Sequence, residues 1–573
     1  MNRENYKKAI EEANRIDSII LETLQSGKSF RVEAGAGSGK TYSLNKVIDW
    51  IQDNRWNEYK KKKQEAICIT FTNAAVDVIK SRLKENSPVA PSTIHSFAWR
   101  AIKQYQSFLV KKVKEDERFW AQDGDINTVN HVEYDLGHKF IKDGVLYLFH
   151  DDVINLFVEL LDNNKFRRIL GSKYPLILID EYQDSFASII DKFIQYYIET
   201  NDGPQFGFFG DSWQTIYQAQ KACGLIEHKN IIEIKKNANF RSAPRIVELL
   251  NKLRPYLKQI SAIDNYEGET VVVHCNDYTG VRRLDRSFKD DLPASELKIR
   301  LENLSRVINN HYPKEKLKTL MLTHKVLANQ QGYENLLSIL GDRFKNNEDE
   351  LLLFFENKIE PIYVALENND IVQLSDLLGI DRVPIKTKAQ KKAWASFLAL
   401  IKQCRSKKAI DVLSCSINSE LIPIPKAVEK IYSSYHIDPN GAYENGIVKD
   451  YLELPYSEFL AAISFLSPET GFSTDHGVKG EEYDNVLFTI TKGWYNYQFD
   501  VYAPLINSIV PADKEEAFER NRNLFYVCCS RPKNRLFLFV SFPVIGGFET
   551  FLKNLVGETN YYSYDQFISK YNK

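Results

Sequence analysis

Residues 30–51, FRVEAGAGSGKTYSLNKVIDWI, constrain the chain more than any other stretch. Phe30 to Glu33 reads as a short buried strand and Ala34 to Gly39 as a glycine-rich loop; Leu44, Val47, Ile48 and Ile51 then recur at the spacing of one helix face. Strand, loop and helix in that order are the setting of a phosphate-cradling loop. Gly35, Gly37 and Gly39 let backbone N–H groups turn inward toward a polyphosphate, and the helix N-terminus adds its partial positive charge. Lys40 reaches the β- and γ-phosphates, and the Thr41 hydroxyl offers a ligand to Mg²⁺. Ala34, Gly35, Ala36, Gly37, Ser38, Gly39, Lys40 and Thr41 are therefore read as a nucleoside triphosphate site, with one departure: the strict pattern opens on glycine where this chain has Ala34.

The 573 residues provide for three or four domain-sized units. With 43% hydrophobic and 26% charged residues, neither a disordered nor a fibrous class is indicated. The net charge of −1 gives no global basic field, so a nucleic-acid partner has to be held in a local groove. No apolar run approaches the roughly 18–20 residues that span a bilayer, and the polar N-terminus, MNRENYKKAIEEANRID, lacks a signal-peptide core. Cys68, Cys223, Cys275, Cys404, Cys415, Cys528 and Cys529 form no CxxC pair and no Cys/His metal spacing. The expectation is reduced thiols in a cytoplasmic protein without a membrane partner.

Along the chain, residues 4–24 read as an amphipathic helix, and the Lys60–Lys63 run as a solvated loop. AICITFTN (66–73) and PSTIHSF (91–97) end in polar corners at the edge where parallel sheets bind ligands. Phe71 there is a core residue or, with Thr72, Asn73, Thr93 and His95, faces a common partner. Residues 103–165 lose strand periodicity and read as a mostly helical insertion. PLILIDEYQDS (175–185) is a buried strand ending in Asp180 and Glu181, adjacent carboxylates that repel unless a cation or a proton lies between them. Mg²⁺ on Asp180 and a water polarised by Glu181 use both. QFGFFGDSWQTIY (205–217) places Gln214 just past another strand, where an amide senses a terminal phosphate. Phe240 and Arg241 precede a helix, suited to stacking on a base and clamping a phosphate. TVVVHC (270–275) and TLMLTH (319–324) begin a second sheet, residues 345–465 read as helical, and Arg531 sits in a loop at 530–534.

The ordered set AGAGSGKT, ITFTNAA, STIHSF, LILIDEYQDS, FGDSWQTIY, NFRSAP, STDHGVKGEEYDNV and RNLFYVCCSRP resembles the UvrD/Rep/PcrA family of superfamily-one DNA helicases over residues 12–541. The resemblance implies an α/β fold of two RecA-like parallel-sheet domains of the P-loop NTPase kind, each carrying a mostly helical insertion. The implied domains are 1A at 1–102 and 166–230, 1B at 103–165, 2A at 231–344 and 466–555, 2B at 345–465, and a tail at 556–573. It implies ATP and Mg²⁺, with Thr41 and Asp180 on the metal, and Lys40, Glu181, Gln214, Arg241 and Arg531 as catalytic groups. An arginine of that kind is worth about 10³–10⁵ in rate. Phe240 matches the adenine-stacking aromatic and Glu482 the ribose contact. Phe71, Thr72, His95, Thr474, His476 and Lys479 match positions touching a DNA strand, beside Asn73 and Thr93 from the corners above. The implied activity is ATP-driven movement along single-stranded DNA, or at a junction with duplex, with 3′→5′ polarity.

Departures bear on that expectation. The family's base-stacking aromatic corresponds to Ala219, among Gln218, Gln220 and Lys221. Trp213 stands where an acidic residue is usual, as a core residue, a substitute platform or a wall of the nucleotide site. The region of the adenine-reading glutamine holds Asp17 to Ile20, and Ala74 replaces a lysine. Both insertions are short, which also fits a helicase-like subunit of a larger complex, such as the UvrD-like component of Gabija-type anti-phage systems that accompanies a nuclease. A nucleotide-binding scaffold without catalysis is a third reading, and RNA is not excluded by residue type.

Overall fold

The computed structural model describes residues 2–70, 72–120, 124–134, 139–215, 221–321, 328, 331–341, 343–344, 349–378, 387–467, 472–474, 481–492 and 497–572. They divide into two compact units. The first comprises residues 1–278, 478–486 and 492–567, and the second residues 279–477, 487–491 and 568–573.

In the first unit, α1 (Asn2–Gln25) leads to β1 (Ser29–Ala34) and α2 (Lys40–Asn54), then β2 (Ala66–Thr70), α3 (Asn73–Lys80), β3 (Val89–Thr93) and α4 (Ile94–Ile102). β4 (Leu176–Asp180), β5 (Gln205–Gly210) and β6 (Ile231–Lys236) complete a six-stranded parallel sheet in the order β3-β2-β4-β5-β1-β6. Its central strands β2, β4 and β5 are apolar at nearly every position because both faces are covered. Leu176, Leu178 and Cys68 pack with Ile16 and Ile20 of α1 and Leu44, Val47, Ile48 and Ile51 of α2. Their neighbours Ile177, Ile179, Ile67 and Ile69 turn to the other side, against Phe97 and Ile102 of α4. Because the strands all run parallel, the loops at their carboxyl ends lie at one edge of the sheet, where β1 feeds α2 and β4 ends in Asp180.

A second parallel sheet in this unit has β7 (Glu269–His274) flanked by β8 (Pro532–Val540) and β9 (Tyr561–Ser563). α5 (Pro244–Leu253) precedes β7, and α6 (Glu515–Cys529) runs into β8 through Ser530 and Arg531 alone, a tighter connection than the loop expected at 530–534. Residues 561–571, read as tail, supply β9 and a helix (Tyr564–Tyr571).

The segment 103–165 is largely helical, as its composition suggests, but also holds a three-stranded sheet of His131–Tyr134, Val145–Leu148 and Phe140–Lys142. These strands are three or four residues long, too short to show an alternating pattern. The lysine run also differs from expectation: Lys60 to Lys62 end a helix, Trp56–Lys62, with Lys60 over the Trp56 ring.

The second unit pairs Leu317–Met321 with Phe472–Thr474 in parallel, holds a short antiparallel pair of Ala442–Tyr443 with Gly446–Ile447, and is mostly helical elsewhere among the described residues. Its centre packs Phe355 against Tyr456 and Phe459. Asp349 caps the following helix at Leu352 and accepts hydrogen bonds from Tyr443 and Tyr451.

Candidate nucleotide site in the first unit

The phosphate loop begins where β1 ends. Gly37 and Gly39 take φ of 72° and 75°, the left-handed region open to glycine. A Cβ on Gly37 would come within 2.7 Å of the Arg241 Cβ and 2.8 Å of the Asn239 side-chain oxygen, so the close approach itself requires glycine. The loop is held by partners distant in sequence. Phe240 N–H donates to the Gly37 carbonyl at 2.8 Å, and the Asn239 and Gln259 side-chain amides donate to the Ala36 carbonyl at 2.9 and 3.0 Å. Ala36 N–H donates to the Tyr526 hydroxyl on α6 at 3.3 Å.

At the first turn of α2, Lys40 Nζ lies 2.5 Å from Glu181 Oε1 and 3.9 Å from Asp180 Oδ1. Burial opposes the Lys40 charge, but Glu181 and Asp180 outweigh it and its pKa is raised. Glu181 has a φ of 50°, which places a side chain in a region that non-glycine residues seldom occupy. Gln183 fixes the second carboxylate oxygen with an N–H donated at 2.6 Å.

Gln214 and Arg531 meet directly. Arg531 Nη2 donates to Gln214 Oε1 at 3.0 Å, while Gln214 Nε2 donates to Asp211 Oδ2 at 2.7 Å. Arg531 is 1% exposed, and burial, with Arg241 nearby, lowers its pKa to about 10, which leaves it charged at neutral pH. Arg241 pairs with Glu482 at 3.0 Å, and Glu482 also meets Lys533 at 2.8 Å. Burial works against the Glu482 charge, yet Lys533 and Arg241 hold its pKa below the usual carboxylate value.

Beside the loop opens a cavity of about 500 Å³, lined by Ile10, Ala13, Tyr42, Phe240, Arg241 and Glu482 among others. Phe240 is 40% exposed, so its ring face is available. Asp17 forms part of the lining but is committed: it accepts from Ser43 at 2.5 Å, Lys46 at 2.8 Å and Lys236 at 3.2 Å.

The donor set suits a magnesium nucleotide. Thr41 at the start of α2 and Asp180 at the end of β4 offer the hard oxygens that Mg²⁺ takes. Ser38 Oγ in the loop is buried without a hydrogen-bond partner among the described residues. Those residues contain no cluster of three or more His, Cys, Asp or Glu fit to hold a metal unaided, and a Mg²⁺ site completed by substrate phosphates needs none.

The strand-contact candidates are placed less completely. Thr72 and Thr93 are N-caps of α3 and α4, their hydroxyls accepting from Ala75 and Ser96 N–H, and Asn73 opens α3. His95 packs edge-on to His150 and Phe186, and its Nε2 is buried without a hydrogen-bond partner among the described residues. Burial, then His150, pushes its pKa down to about 4. Phe71, His476, Lys479, Ala219 and the Thr474 side chain lie outside the described residues. Trp213 belongs to the core: 8% exposed, edge-on to Tyr256 and Tyr526, with the Arg522 guanidinium 4.3 Å from its ring centre.

Sequence reasoning missed Glu33, Asp211, Arg254 and Tyr526. Glu33, 1% exposed, accepts from Ser212 and from the Tyr182 hydroxyl at 2.7 Å and pairs with Arg254, which bonds Asp211 at 2.6 Å. A glutamate inside the apolar strand FRVEA was a signal that a cation had to be found for it.

Comparison with known proteins agrees with this geometry. The family described as AAA domain matches residues 17–220. The chain is 24% identical to the Gabija protein GajB of Bacillus cereus (strain HuB5-5), over 94% of this chain and 97% of that protein. It is 26% identical to the mitochondrial ATP-dependent DNA helicase HMI1 of Saccharomyces cerevisiae, over 41% of this chain and 39% of that protein. Identity to the ATP-dependent DNA helicase Rep of Buchnera aphidicola is also 26%, over 38% of this chain and 40% of that protein. Arg241 beside Gly37, Arg531 bonded to Gln214, the parallel sheets and these likenesses together support a UvrD-like superfamily-one helicase protein.

Proposed function

We propose that this ATP-dependent, helicase-like chain translocates on single-stranded DNA, 3′→5′, driven by hydrolysis at the phosphate loop. The observation that carries the reading is a chain of contacts from segments up to about 490 residues apart: Lys40 on Glu181, Arg241 against Gly37 and on the Ser530 carbonyl, and Arg531 on Gln214. In this reading Lys40 and the loop N–H groups bind the β- and γ-phosphates, while Phe240 stacks on the base and Glu482 contacts the ribose. Thr41 and Asp180 would hold Mg²⁺, which when bound neutralises charge on the phosphates. Glu181 orients the attacking water and takes its proton. Arg241 and Arg531 stabilise negative charge growing on the transferred phosphoryl group, and Gln214, already bonded to Arg531, registers that group. Loss of the terminal phosphate removes what these residues share, so the halves carrying them relax apart, and alternating grip on a strand turns that cycle into movement. Phe71, Thr72, Asn73, Thr93, His95, Thr474, His476 and Lys479 are the proposed strand contacts.

A second reading is favoured by one observation. The likeness to the Gabija protein GajB runs the length of both chains, whereas the likenesses to HMI1 and Rep cover about two fifths of each. In this reading the chain is the helicase-like regulatory ATPase subunit of a cytoplasmic multiprotein complex, such as an anti-phage one, with a nuclease partner and weak unwinding of its own. Among the described residues no helix is long and apolar enough to cross a membrane.

The test is ATP hydrolysis with and without single-stranded DNA, for wild type and Glu181→Gln. Stimulation by DNA that Glu181→Gln abolishes, with binding that weakens steeply with salt, supports translocation. Hydrolysis indifferent to DNA sinks it, and a nuclease that co-purifies with the tagged chain moves the assignment to the second reading.

A further inference from the structure

We propose that Arg254, a residue with no place in the phosphate-loop or arginine motifs, is the positioning residue that sets the orientation of the Gln214 amide between Asp211 and Arg531. The inference rests on the hydrolytic reading above and deepens it.

Gln214 is held by opposite charges. Its NH₂ end donates to the Asp211 carboxylate at 2.7 Å, and its oxygen accepts from the Arg531 guanidinium at 3.0 Å. Turned over, the amide would set oxygen against carboxylate and NH₂ against guanidinium, so its polarity is dictated as long as Asp211 keeps its charge. Asp211 is fully buried and relies on a cation. Arg254 Nη1 supplies it at 2.6 Å.

The same planar fork engages other parts of the site. Arg254 Nη2 pairs with Glu33, two residues before Gly35 of the phosphate loop. Its Nε donates to the Tyr256 hydroxyl at 2.9 Å. Its guanidinium lies 5.6 Å from the ring centre of Tyr526, whose hydroxyl takes the Ala36 N–H and whose helix ends two residues before Arg531. Arg254 follows α5, whose other end begins three residues after Arg241. One residue thus touches the strand of the loop, the sensor turn and the helix of the second arginine. Two carboxylates and three aromatic rings around a 1%-exposed guanidinium contribute little net stability, because desolvation of such a cluster offsets its attraction. What the cluster supplies is geometry, and a lysine lacks the fork that reaches both carboxylates.

The experiment uses the full chain as wild type, Arg254→Lys, Arg254→Met and the double variant Glu33→Gln/Arg254→Met. It reads kcat and KM for ATP, affinities for ADP and a non-hydrolysable ATP analogue, and denaturant unfolding. Expected for Arg254→Lys is a kcat at least tenfold lower, ADP affinity within threefold of wild type, and a reduced preference for the ATP analogue over ADP. The double variant, relieved of one uncompensated carboxylate, should regain stability relative to Arg254→Met without regaining kcat. Wild-type kcat and nucleotide preference in Arg254→Lys would overturn the proposal, as would a double variant whose kcat recovers with its stability. Should Arg254→Met fail to fold, the lysine variant still decides. A wild-type chain that binds ATP without hydrolysing it would sink the functional reading alone, while the analogue-to-ADP preference still tests Arg254.

Discussion

The phosphate-loop corner and the corner at the ends of β2 and β3 belong to one parallel sheet, yet they hold their polar groups in opposite ways. Around the loop, charge is answered by charge: Lys40 by Glu181, Arg254 by Glu33 and Asp211, Arg241 by Glu482. At the other corner the groups are neutral and local, with Thr72 and Thr93 capping the helices they precede and His95 uncharged at pH 7. Buried charges collected from distant segments are costly and point to chemistry. Hydroxyls at helix starts are already accounted for by the backbone N–H groups they satisfy. The paired charges of the first corner support its proposed reading as a reaction site; the second has a folding role that any strand contact would add to.

That contrast can be broken by substitution. The largest effect is expected from Arg531→Ala, with kcat for ATP lower by on the order of 10³, measured well below the unfolding temperature of the variant. A loss under tenfold would place the arginine in the scaffold. Next is Phe240→Ala: removing an exposed stacking ring should raise KM roughly tenfold with kcat little changed, the size of one base–aromatic contact. Smaller still, Thr72→Ala and Thr93→Ala should each lower unfolding free energy by about 1 kcal/mol in denaturant titrations, with ATP hydrolysis in the absence of DNA unaltered. DNA affinity falling in those variants by much more than stability does would show that the hydroxyls touch the strand and sharpen the second corner into a site.

A separate prediction concerns His95. Its folded pKa of about 4 lies below the unfolded value near 6.5, so the unfolded chain takes up the proton first. The stability contribution of the neutral ring is complete above pH 6.5 and is lost as pH falls toward 4. Urea midpoints at pH 7.5 and 5.0 should therefore differ less in His95→Gln than in wild type. An equal pH dependence in the two proteins would mean that the ring is not desolvated as described.

Much of the site was legible because its residues follow local rules. The loop glycines, Lys40, and the carboxylates at the end of β4 are placed by strand, loop and helix within a few residues of one another. Gln214 was read from its place just past a strand and the role of Arg531 from the resemblance, but the bond between them was not, since nothing in either segment encodes a distance across some 300 residues of chain. Arg254 was invisible for the same reason: a lone arginine after a helix reads as solvent-exposed, and only folding brings Glu33 and Asp211 to it. The small sheet at 131–148 escaped notice because pairing, not hydrophobic alternation, makes its short strands.

Glu181 is aimed by its main chain, with φ at 50° turning the carboxylate toward Lys40. That narrows where mutation can take the position. Side chains branched at Cβ are barred by sterics, and glycine or asparagine, which enter this region readily, bring no negative charge. Aspartate is tolerated there but is one methylene shorter. Drift at residue 181 therefore has few viable exits, and what a survey of variants would score as intolerance belongs as much to the peptide's twist as to the acid it carries.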